Sequence, residues 1–125
     1  MNILVVDDEK DIKELFLQKF RHEIKANEIK ISFCNSGEEA LSYLELHKSE
    51  AVLILSDINM PGMSGLELLK QIKTKFENPP PVVMMITAYG DDESYNLAIK
   101  LGADDFLNKP VDFVALKEKL KMKLG

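Results

Sequence analysis

Five short strand-like runs, each followed by a stretch of helical periodicity, organise the 125-residue sequence. Three of them are almost continuously apolar, as expected of parallel strands covered on both faces, and the second alternates, as expected nearer a sheet edge. The predicted strands are Ile3–Val6, Ile29–Cys34, Ala51–Leu55, Val82–Ile86 and Ala103–Leu107. Strands that alternate with helices through short links predict an α/β fold, an open parallel sheet with five helices distributed over both faces.

The helices are predicted from apolar residues at helical spacing and from polar residues at their starts. In the first helix the apolar face would consist of Ile12, Leu15, Phe16, Phe20 and Ile24. Asp11 and Glu14 have the spacing of a capping box, which predicts that this helix begins at Asp11. The later capping signals are Ser36 with Glu39, Ser64 with Glu67, Asp91 and Asp112.

Composition narrows the class of protein. With 46% hydrophobic and 30% charged residues and no repeat or linker, residues 1–125 are predicted to form one globular domain. The chain starts with a short apolar run followed at once by acids, which differs from a signal peptide, and no apolar run approaches the roughly 18 residues of a membrane span. Cys34 has no partner in the chain, which favours a cytoplasmic location. A net charge of −5 disfavours binding to nucleic acid or to an anionic membrane.

Chemically distinctive side chains follow four of the predicted strands. Strand 1 ends in Asp7 and Asp8, strand 3 in Asp57, strand 4 in Thr87 and strand 5 in Lys109. Ligands of open parallel sheets bind beyond the carboxyl ends of the strands, near the point where the strand order reverses. These five side chains are therefore predicted to converge on one site at that edge of the sheet.

The predicted site has the chemistry of a metal-assisted phosphoryl acceptor. Three neighbouring carboxylates repel one another unless a cation lies between them, and their oxygens suit Mg²⁺, or Mn²⁺ in its place. With Lys109 added the site is nearly neutral and can accept an anion such as a phosphoryl group. Asp57 is then the candidate nucleophile, and Asp7 and Asp8 are candidate metal ligands. Lys109 and Thr87 are the groups expected to contact phosphoryl oxygens.

Each of these residues also has a simpler explanation when it is taken alone. Acids that follow a strand often cap the next helix, as Asp7 and Asp8 could do. Thr87 could be an ordinary β-branched strand residue, and Lys109 a surface lysine. The conjunction favours a functional site, because chance would have to gather all five residues at strand ends.

The segments that carry these residues resemble the receiver domain of two-component response regulators across essentially the whole chain. The matching segments are Val5-Val6-Asp7-Asp8-Glu9, Asp57-Ile58-Asn59-Met60-Pro61-Gly62-Met63-Ser64-Gly65, Thr87-Ala88 and Gly102-Ala103-Asp104-Asp105-Phe106-Leu107-Asn108-Lys109-Pro110. The resemblance implies the flavodoxin-like receiver fold with strand order 2-1-3-4-5. It also implies a cis peptide bond between Lys109 and Pro110.

The resemblance further implies the reaction. Asp57 would take a phosphoryl group from the phosphohistidine of a histidine kinase or of a phosphotransfer protein. Mg²⁺ would be bound by Asp8, Asp57 and the backbone carbonyl of Asn59. Such a domain catalyses its own phosphorylation and slow dephosphorylation, and it is not a turnover enzyme.

A conformational switch is also implied by the resemblance. Thr87 would move toward the phosphoryl group, and an aromatic residue of strand 5 would fill the space that it leaves. Phe106 holds that position, and it lacks the hydroxyl of the tyrosine that is common there, which weakens any output surface built on that hydroxyl. Alternatively, Phe106 is an inward core residue in both states.

The output surface would be the face formed by the fourth predicted helix, strand 5 and the fifth predicted helix. It would control an unidentified protein partner or pair with a second copy of the chain. A free-standing regulator or a phosphorelay shuttle is the simplest interpretation, although a receiver cut from a longer regulator or hybrid kinase would look the same.

Three other functions fit parts of the pattern. A metal-dependent phosphohydrolase with an aspartyl nucleophile typically has a second aspartate two residues on, where this chain has Asn59, which cannot shuttle a proton. A flavin-binding domain of similar fold needs a loop of hydroxyls and amides after strand 1, where the acids at positions 7–9 would repel its phosphate. A receiver that acts only as an unphosphorylated scaffold is disfavoured by the intact acidic pocket.

Tyr89 lies two residues after Thr87, a position that in this family flanks the phosphoryl group, as Asn59 does beside Asp57. We hypothesise that Tyr89 shields the acyl phosphate from water and lengthens its life. Tyr89→Ala is then expected to lose its phosphoryl group faster than the parent, as followed by mass spectrometry after removal of the phosphodonor. Equal decay rates would refute the shielding role.

Overall fold

The computed structural model describes residues 1–47, 50, 52–76, 81–88 and 90–124. Within these residues the strands are β1 (Asn2–Val6), β2 (Lys30–Cys34), β3 (Val52–Asp57), β4 (Val82–Thr87) and β5 (Asp105–Asn108). The helices are α1 (Asp11–Lys19), α2 (Arg21–Lys25), α3 (Gly37–Leu46), α4 (Gly65–Lys75), α5 (Asp92–Lys100) and α6 (Phe113–Leu124). Every predicted strand is present, with bounds that differ by one or two residues; Ala51 of the third prediction lies outside the described residues.

The five strands form one parallel sheet in the order β2-β1-β3-β4-β5. This order confirms the predicted one, including the edge position of the alternating strand β2. The registers pair Asp57 with Ile86 and Thr87 with Asn108, and β1 runs beside β3. The carboxyl ends of β1, β3, β4 and β5 therefore lie side by side at one edge of the sheet.

The helices cover both faces of the sheet. On one face α3, α4 and α5 bury residues such as Ala40, Leu68 and Ala98 against the strands. On the other face α1 and α6 do so through residues such as Phe16 and Leu116. Alternate residues of the central strands project into each of these layers, which explains why those strands are apolar throughout. None of the helices in the described part of the chain is long and apolar enough to span a membrane.

The first predicted helix is broken, so the prediction of five helices is wrong and the described chain has six. α1 ends at Lys19 and α2 begins at Arg21, because Phe20 between them leaves helical geometry, with φ −104° and ψ 16°. Phe20 is completely buried, and its ring centroid lies 5.9 Å from that of Phe16 and 6.1 Å from that of Phe113 in α6. Burial of this ring between two aromatic neighbours offsets the free energy lost where the helix is interrupted.

Side-chain capping is confirmed at four of the five predicted helix starts. Each of four side chains accepts a hydrogen bond from a backbone N–H in the following turn: Ser36, Ser64, Asp91 and Asp112. The predicted start of the first helix at Asp11 is confirmed, but the capping role of Asp11 is wrong, because Asp11 is the first residue of α1 and no side chain caps that end. Leu15 was also predicted to face the core, yet it is 39% exposed.

The link between β3 and α4 holds the start of α4 very close to the end of β3. The N–H of Gly65 donates to the carbonyl of Ile58 at 2.8 Å. A Cβ at position 65 would overlap the carbonyl oxygen of Asp57, so only glycine fits without moving that backbone. Gly37 is the equivalent first residue of α3, but the atom nearest to its added Cβ is the sulfur of the flexible Met63 side chain, at 2.8 Å.

These two glycines provide a matched pair of substitutions. Gly65→Ala is expected to lower the free energy of unfolding by roughly 1–3 kcal/mol, because the new methyl group must displace backbone. Gly37→Ala should change it by less than about 1 kcal/mol, because the Met63 side chain can move and alanine favours the helix. Urea denaturation followed by circular dichroism measures both. Equal losses at the two positions would contradict the close approach at Gly65.

Candidate functional site

Three aspartate side chains meet at the carboxyl edge of the sheet. Because β1 and β3 are neighbours, Asp7 and Asp8, which follow β1, lie beside Asp57 at the end of β3. One oxygen of each carboxylate lies within 4.8 Å of the others. Asp7 and Asp57 are each only 2% exposed, whereas Asp8 faces solvent. In the described ranges this is the one group of three or more His, Cys, Asp or Glu side chains close enough to share a metal ion.

Asp57 is oriented by hydrogen bonds to both oxygens of its carboxylate and to its backbone. The Nζ atom of Lys109 donates to Oδ2 at 2.8 Å, and the N–H of Asn59 donates to Oδ1 at 3.3 Å. The Ser56 hydroxyl donates to the backbone carbonyl of Asp57 at 3.0 Å. The carboxylate of Asp57 is therefore fixed in position by the link that follows β3 and by the residue that follows β5.

The charges of this group are only partly balanced. Burial raises the pKa of Asp7, and the negative charge of Asp57 raises it further. The N–H of Glu9 donates to Oδ1 of Asp7 at 2.9 Å and partly opposes this rise. Burial alone would lower the pKa of Lys109, but the hydrogen bond to Asp57 and nearby carboxylates raise it overall. Lys109 also lies 3.7 Å from Oε1 of Glu9. An excess of negative charge remains around Asp7, and a divalent cation would neutralise it.

The three carboxylates fit a hard divalent cation. Mg²⁺ binds oxygen ligands about 2.1 Å away, so oxygens at adjacent and opposite corners of its octahedron are about 3 Å and 4 Å apart. The carboxylate oxygens of the three aspartates, within 4.8 Å of one another, need only a small approach to match those separations. Because Asp8 is exposed, there is room for the water ligands that Mg²⁺ retains.

Thr87 lies at the same edge, but its hydroxyl is turned toward β5. It donates to Oδ1 of Asn108 at 3.1 Å, and it lies 3.5 Å from the carbonyl oxygen of Leu107. Thr87 itself is only 3% exposed. A contact between Thr87 and a phosphoryl oxygen stays a prediction, and it requires this hydroxyl to exchange its acceptor.

Phe106 is half-buried beneath α5. It packs at the margin of the core cluster on that face of the sheet, and the ring centroid of Tyr95 in α5 lies 4.3 Å from its own. Tyr95 is 41% exposed. α5 therefore supplies a phenol ring beside position 106, where β5 itself carries none. The movement of Phe106 in a switch stays a prediction.

Three further predicted features concern the loops around the site. The peptide bond between Lys109 and Pro110 is cis, which confirms the geometry implied by the family resemblance. Asn59 is exposed directly after the strand that carries Asp57, and its role as a carbonyl ligand stays a prediction. Tyr89, the residue hypothesised to shield the phosphoryl group, lies outside the described residues.

Three residues near the site received no role from the sequence pattern: Glu9, Tyr95 and Asn108. Glu9 and Asn108 belong to the family motifs. The contact of Asn108 with Thr87 joins β4 to β5, and that of Glu9 with Lys109 joins the segments that follow β1 and β5. Spacing along the chain does not reveal such contacts. Tyr95 lies on a helix face that is neither wholly buried nor wholly exposed. Its contact with Phe106 depends on how α5 packs against β5, and no local signal could have identified it.

Comparison with proteins of known sequence identifies the family. Residues 3–121 match the family described as the response regulator receiver domain. The chain is 40% identical over 116 residues to the response regulator protein PilR of Pseudomonas aeruginosa, which covers 92% of this chain and 24% of that protein. It is 33% identical over 112 residues to an uncharacterized 14.6 kDa protein of Leptolyngbya boryana, with 90% of this chain and 81% of that protein covered.

Solved structures give the same result. The response regulator receiver protein from Pseudomonas putida matches with a TM-score of 0.82 at 29% identity, over 97% of this chain and 95% of that one. The receiver domain of NtrX from Brucella abortus matches with a TM-score of 0.79 at 31% identity, over 96% and 95%. The chain spans 24% to 49% of the length of three curated relatives that it matches. With its acidic site, sheet order and these matches, the chain belongs to the response regulator receiver family.

Proposed function

We propose that this chain is a phosphoacceptor switch in two-component signalling. Asp57 takes a phosphoryl group from the phosphohistidine of a histidine kinase, or of a phosphotransfer protein, in a reaction that depends on Mg²⁺ or Mn²⁺. The observation that carries the proposal is the 2.8 Å bond from Lys109 Nζ to Oδ2 of Asp57 inside a group of three converging carboxylates. A buried carboxylate beside a fixed positive charge is the arrangement that phosphoryl transfer to an aspartate requires.

In the transfer step, a carboxylate oxygen of Asp57 forms a bond to phosphorus as the bond from phosphorus to the donor imidazole nitrogen breaks. The imidazole nitrogen keeps the bonding pair and takes up a proton. Asp57 becomes an acyl phosphate, and its former charge is replaced by that of the phosphoryl oxygens. Lys109 already lies at the carboxylate, so it can pair with one of these oxygens after only a small movement.

The metal ligands that we propose are Asp8, Asp57 and the backbone carbonyl of Asn59, with Asp7 contributing partly through water. A divalent cation bound there supplies positive charge to the phosphoryl oxygens during transfer. The convergence of the three carboxylates supports this assignment, and burial, which raises the pKa of Asp7, makes an isolated negative charge there unfavourable without a cation.

Phosphorylation is read out at the face formed by α5, β5 and α6. The Thr87 hydroxyl turns to a phosphoryl oxygen, and Phe106 moves into the space that it leaves. Since the Tyr95 ring packs against Phe106, this movement reaches an exposed side chain of α5. α6 exposes Val114, at 70%. We propose that the face of α5, β5 and α6 binds either a protein partner or a second copy of this chain. We propose no direct contact between this chain and nucleic acid or membrane.

The site suits storage of the phosphoryl group better than rapid turnover. A phosphohydrolase needs a proton-transferring side chain near the acyl phosphate. Asn59, two residues past Asp57, cannot serve, because a carboxamide does not act as a general acid or base near neutral pH. We therefore propose that the acyl phosphate is a signal and that its release is slow. We also propose that residues 1–125 form one domain and that this domain acts in the cytoplasm.

Incubation with acetyl phosphate and Mg²⁺ is expected to add the mass of one phosphoryl group to the intact protein. Peptide mass spectrometry should place that mass on Asp57, because it is the buried carboxylate bonded to Lys109. Chelation of the metal with EDTA should abolish the addition.

The control for this experiment compares two charge-removing substitutions. Asp57→Asn should take up no phosphoryl group, whereas Glu118→Gln, an exposed change on α6, should behave as the parent. Uptake by Asp57→Asn equal to that of the parent would rule out the proposed acceptor.

Asp7→Asn is expected to stabilise the metal-free protein and to weaken its metal binding. Because its pKa is raised on folding, Asp7 binds its proton more tightly in the folded state, and its charge is destabilising above that pKa. The free energy of unfolding should therefore be higher for Asp7→Asn than for the parent near neutral pH. The gain should shrink as the pH falls from the raised pKa toward the ordinary value of 3.8. Urea denaturation with EDTA present measures it.

The second half of this prediction concerns metal affinity. Titration calorimetry with MgCl₂ should show binding to Asp7→Asn weakened by roughly 10- to 100-fold, as is common when a residue that supports a metal site is changed. Glu118→Gln again serves as the control, with neither stability nor affinity altered. Loss of stability in Asp7→Asn without added metal would contradict a destabilising charge on Asp7.

A further inference from the structure

We propose that Asn108 sets the balance of the switch by holding the Thr87 hydroxyl on the side of β4 away from Asp57. Asn108 is then a positioning residue, since it acts only through Thr87. This inference rests on the proposed function, because it concerns the step in which Thr87 turns to the phosphoryl group.

The sheet order explains why this hydrogen bond opposes the switch. β4 lies between β3, which carries Asp57, and β5, which carries Asn108. Thr87 and Asn108 are direct partners in the β4–β5 register, and the Thr87 hydroxyl donates to Oδ1 of Asn108 at 3.1 Å. The hydroxyl is therefore directed to the neighbouring strand on one side, whereas the phosphoryl group would form on the other.

A hydroxyl has a single hydrogen to donate, so the two arrangements exclude each other. While Thr87 donates to Asn108 it cannot donate to a phosphoryl oxygen. The carbonyl of Leu107, at 3.5 Å, is at the outer limit of a hydrogen bond and is present whatever the side chain at position 108. The acceptor that depends on the side chain at position 108 is therefore the Asn108 amide.

The burial of the two residues makes the effect measurable. Thr87 is 3% exposed, so its hydroxyl cannot simply exchange Asn108 for bulk water. Asn108 is exposed, and within the described residues the bond to Thr87 is the one side-chain hydrogen bond that it makes. Removing the amide should leave the core intact. It should shift the equilibrium constant between the two Thr87 arrangements toward the phosphoryl-facing one by roughly three- to tenfold, as expected for the loss of one neutral hydrogen bond.

The test uses Asn108→Leu, which keeps the approximate shape of the side chain and removes the acceptor. The measurement is the affinity for beryllofluoride, a stable analogue of the phosphoryl group, at saturating Mg²⁺ by ¹⁹F NMR. Asn108→Leu should bind it roughly three- to tenfold more tightly than the parent. Asn108→Leu should also be phosphorylated by acetyl phosphate faster than the parent.

A double-substitution comparison isolates the role of the hydroxyl. In a Thr87→Val background, which lacks the hydroxyl, adding Asn108→Leu should leave the beryllofluoride affinity unchanged. A merely structural effect of position 108 would tighten or weaken binding equally in both backgrounds, and that result would overturn the proposal. Circular dichroism checks folding, and Asn108→Ala replaces Asn108→Leu if the leucine variant is unfolded.

The outcomes separate this inference from the proposed function. A parent protein that binds beryllofluoride and is phosphorylated on Asp57, with Asn108 variants indistinguishable from it, would sink the role of Asn108 and leave the phosphoacceptor intact. A parent protein that does neither would overturn the proposed function, and the role of Asn108 with it.

Discussion

The negative charge gathered at one edge of the sheet is the constraint on which the rest of this structure depends. Asp7 and Asp57 are almost fully buried there, and Lys109 supplies a single positive charge at 2.8 Å from Asp57. Charges in such a place are costly unless they are paired or bound to a cation. The apolar strands beneath them provide the stability that allows the imbalance to persist, and a divalent cation bound between the three carboxylates would remove it.

β5 links this charged edge to the surface of the molecule. Three residues of one short stretch of chain make the connecting contacts. Phe106 packs against the ring of Tyr95, and Asn108 accepts from the hydroxyl of Thr87. Lys109, the next residue, donates to the carboxylate of Asp57. The segment that holds Asp57 through Lys109 therefore also bonds the Thr87 hydroxyl and packs against the partly exposed ring of Tyr95. We infer that β5 is the element through which the site and the face of α5, β5 and α6 communicate.

Much of this arrangement could be predicted from the sequence. Continuous apolar runs such as Val82–Ile86 are typical of strands covered on both faces, so local patterns were enough to predict the parallel sheet and the convergence of Asp7, Asp8 and Asp57. The cis bond at Pro110 required the family resemblance, because few bonds before proline are cis and no local pattern marks them.

The features that could not be predicted depend on contacts between distant parts of the chain. The break at Phe20 arises from packing against Phe113 of the last helix, which the periodicity of the first helix does not contain. The direction of the Thr87 hydroxyl likewise depends on which acceptor lies across the β4–β5 ladder. Such local conformations depend on a few hydrogen bonds or ring contacts. The free energy of each contact is comparable to the conformational preferences that a local sequence pattern encodes.

The contact between Tyr95 and Phe106 has a practical consequence. The chain contains no tryptophan and three tyrosines, so its intrinsic ultraviolet fluorescence comes from very few rings. One of them leans on the aromatic side chain of β5, with ring centroids 4.3 Å apart. Tyrosine emission is sensitive to the surroundings of its ring, and a displacement of Phe106 would alter those surroundings. The native protein thus carries its own optical reporter beside the element that is expected to move, and no label has to be attached to observe it.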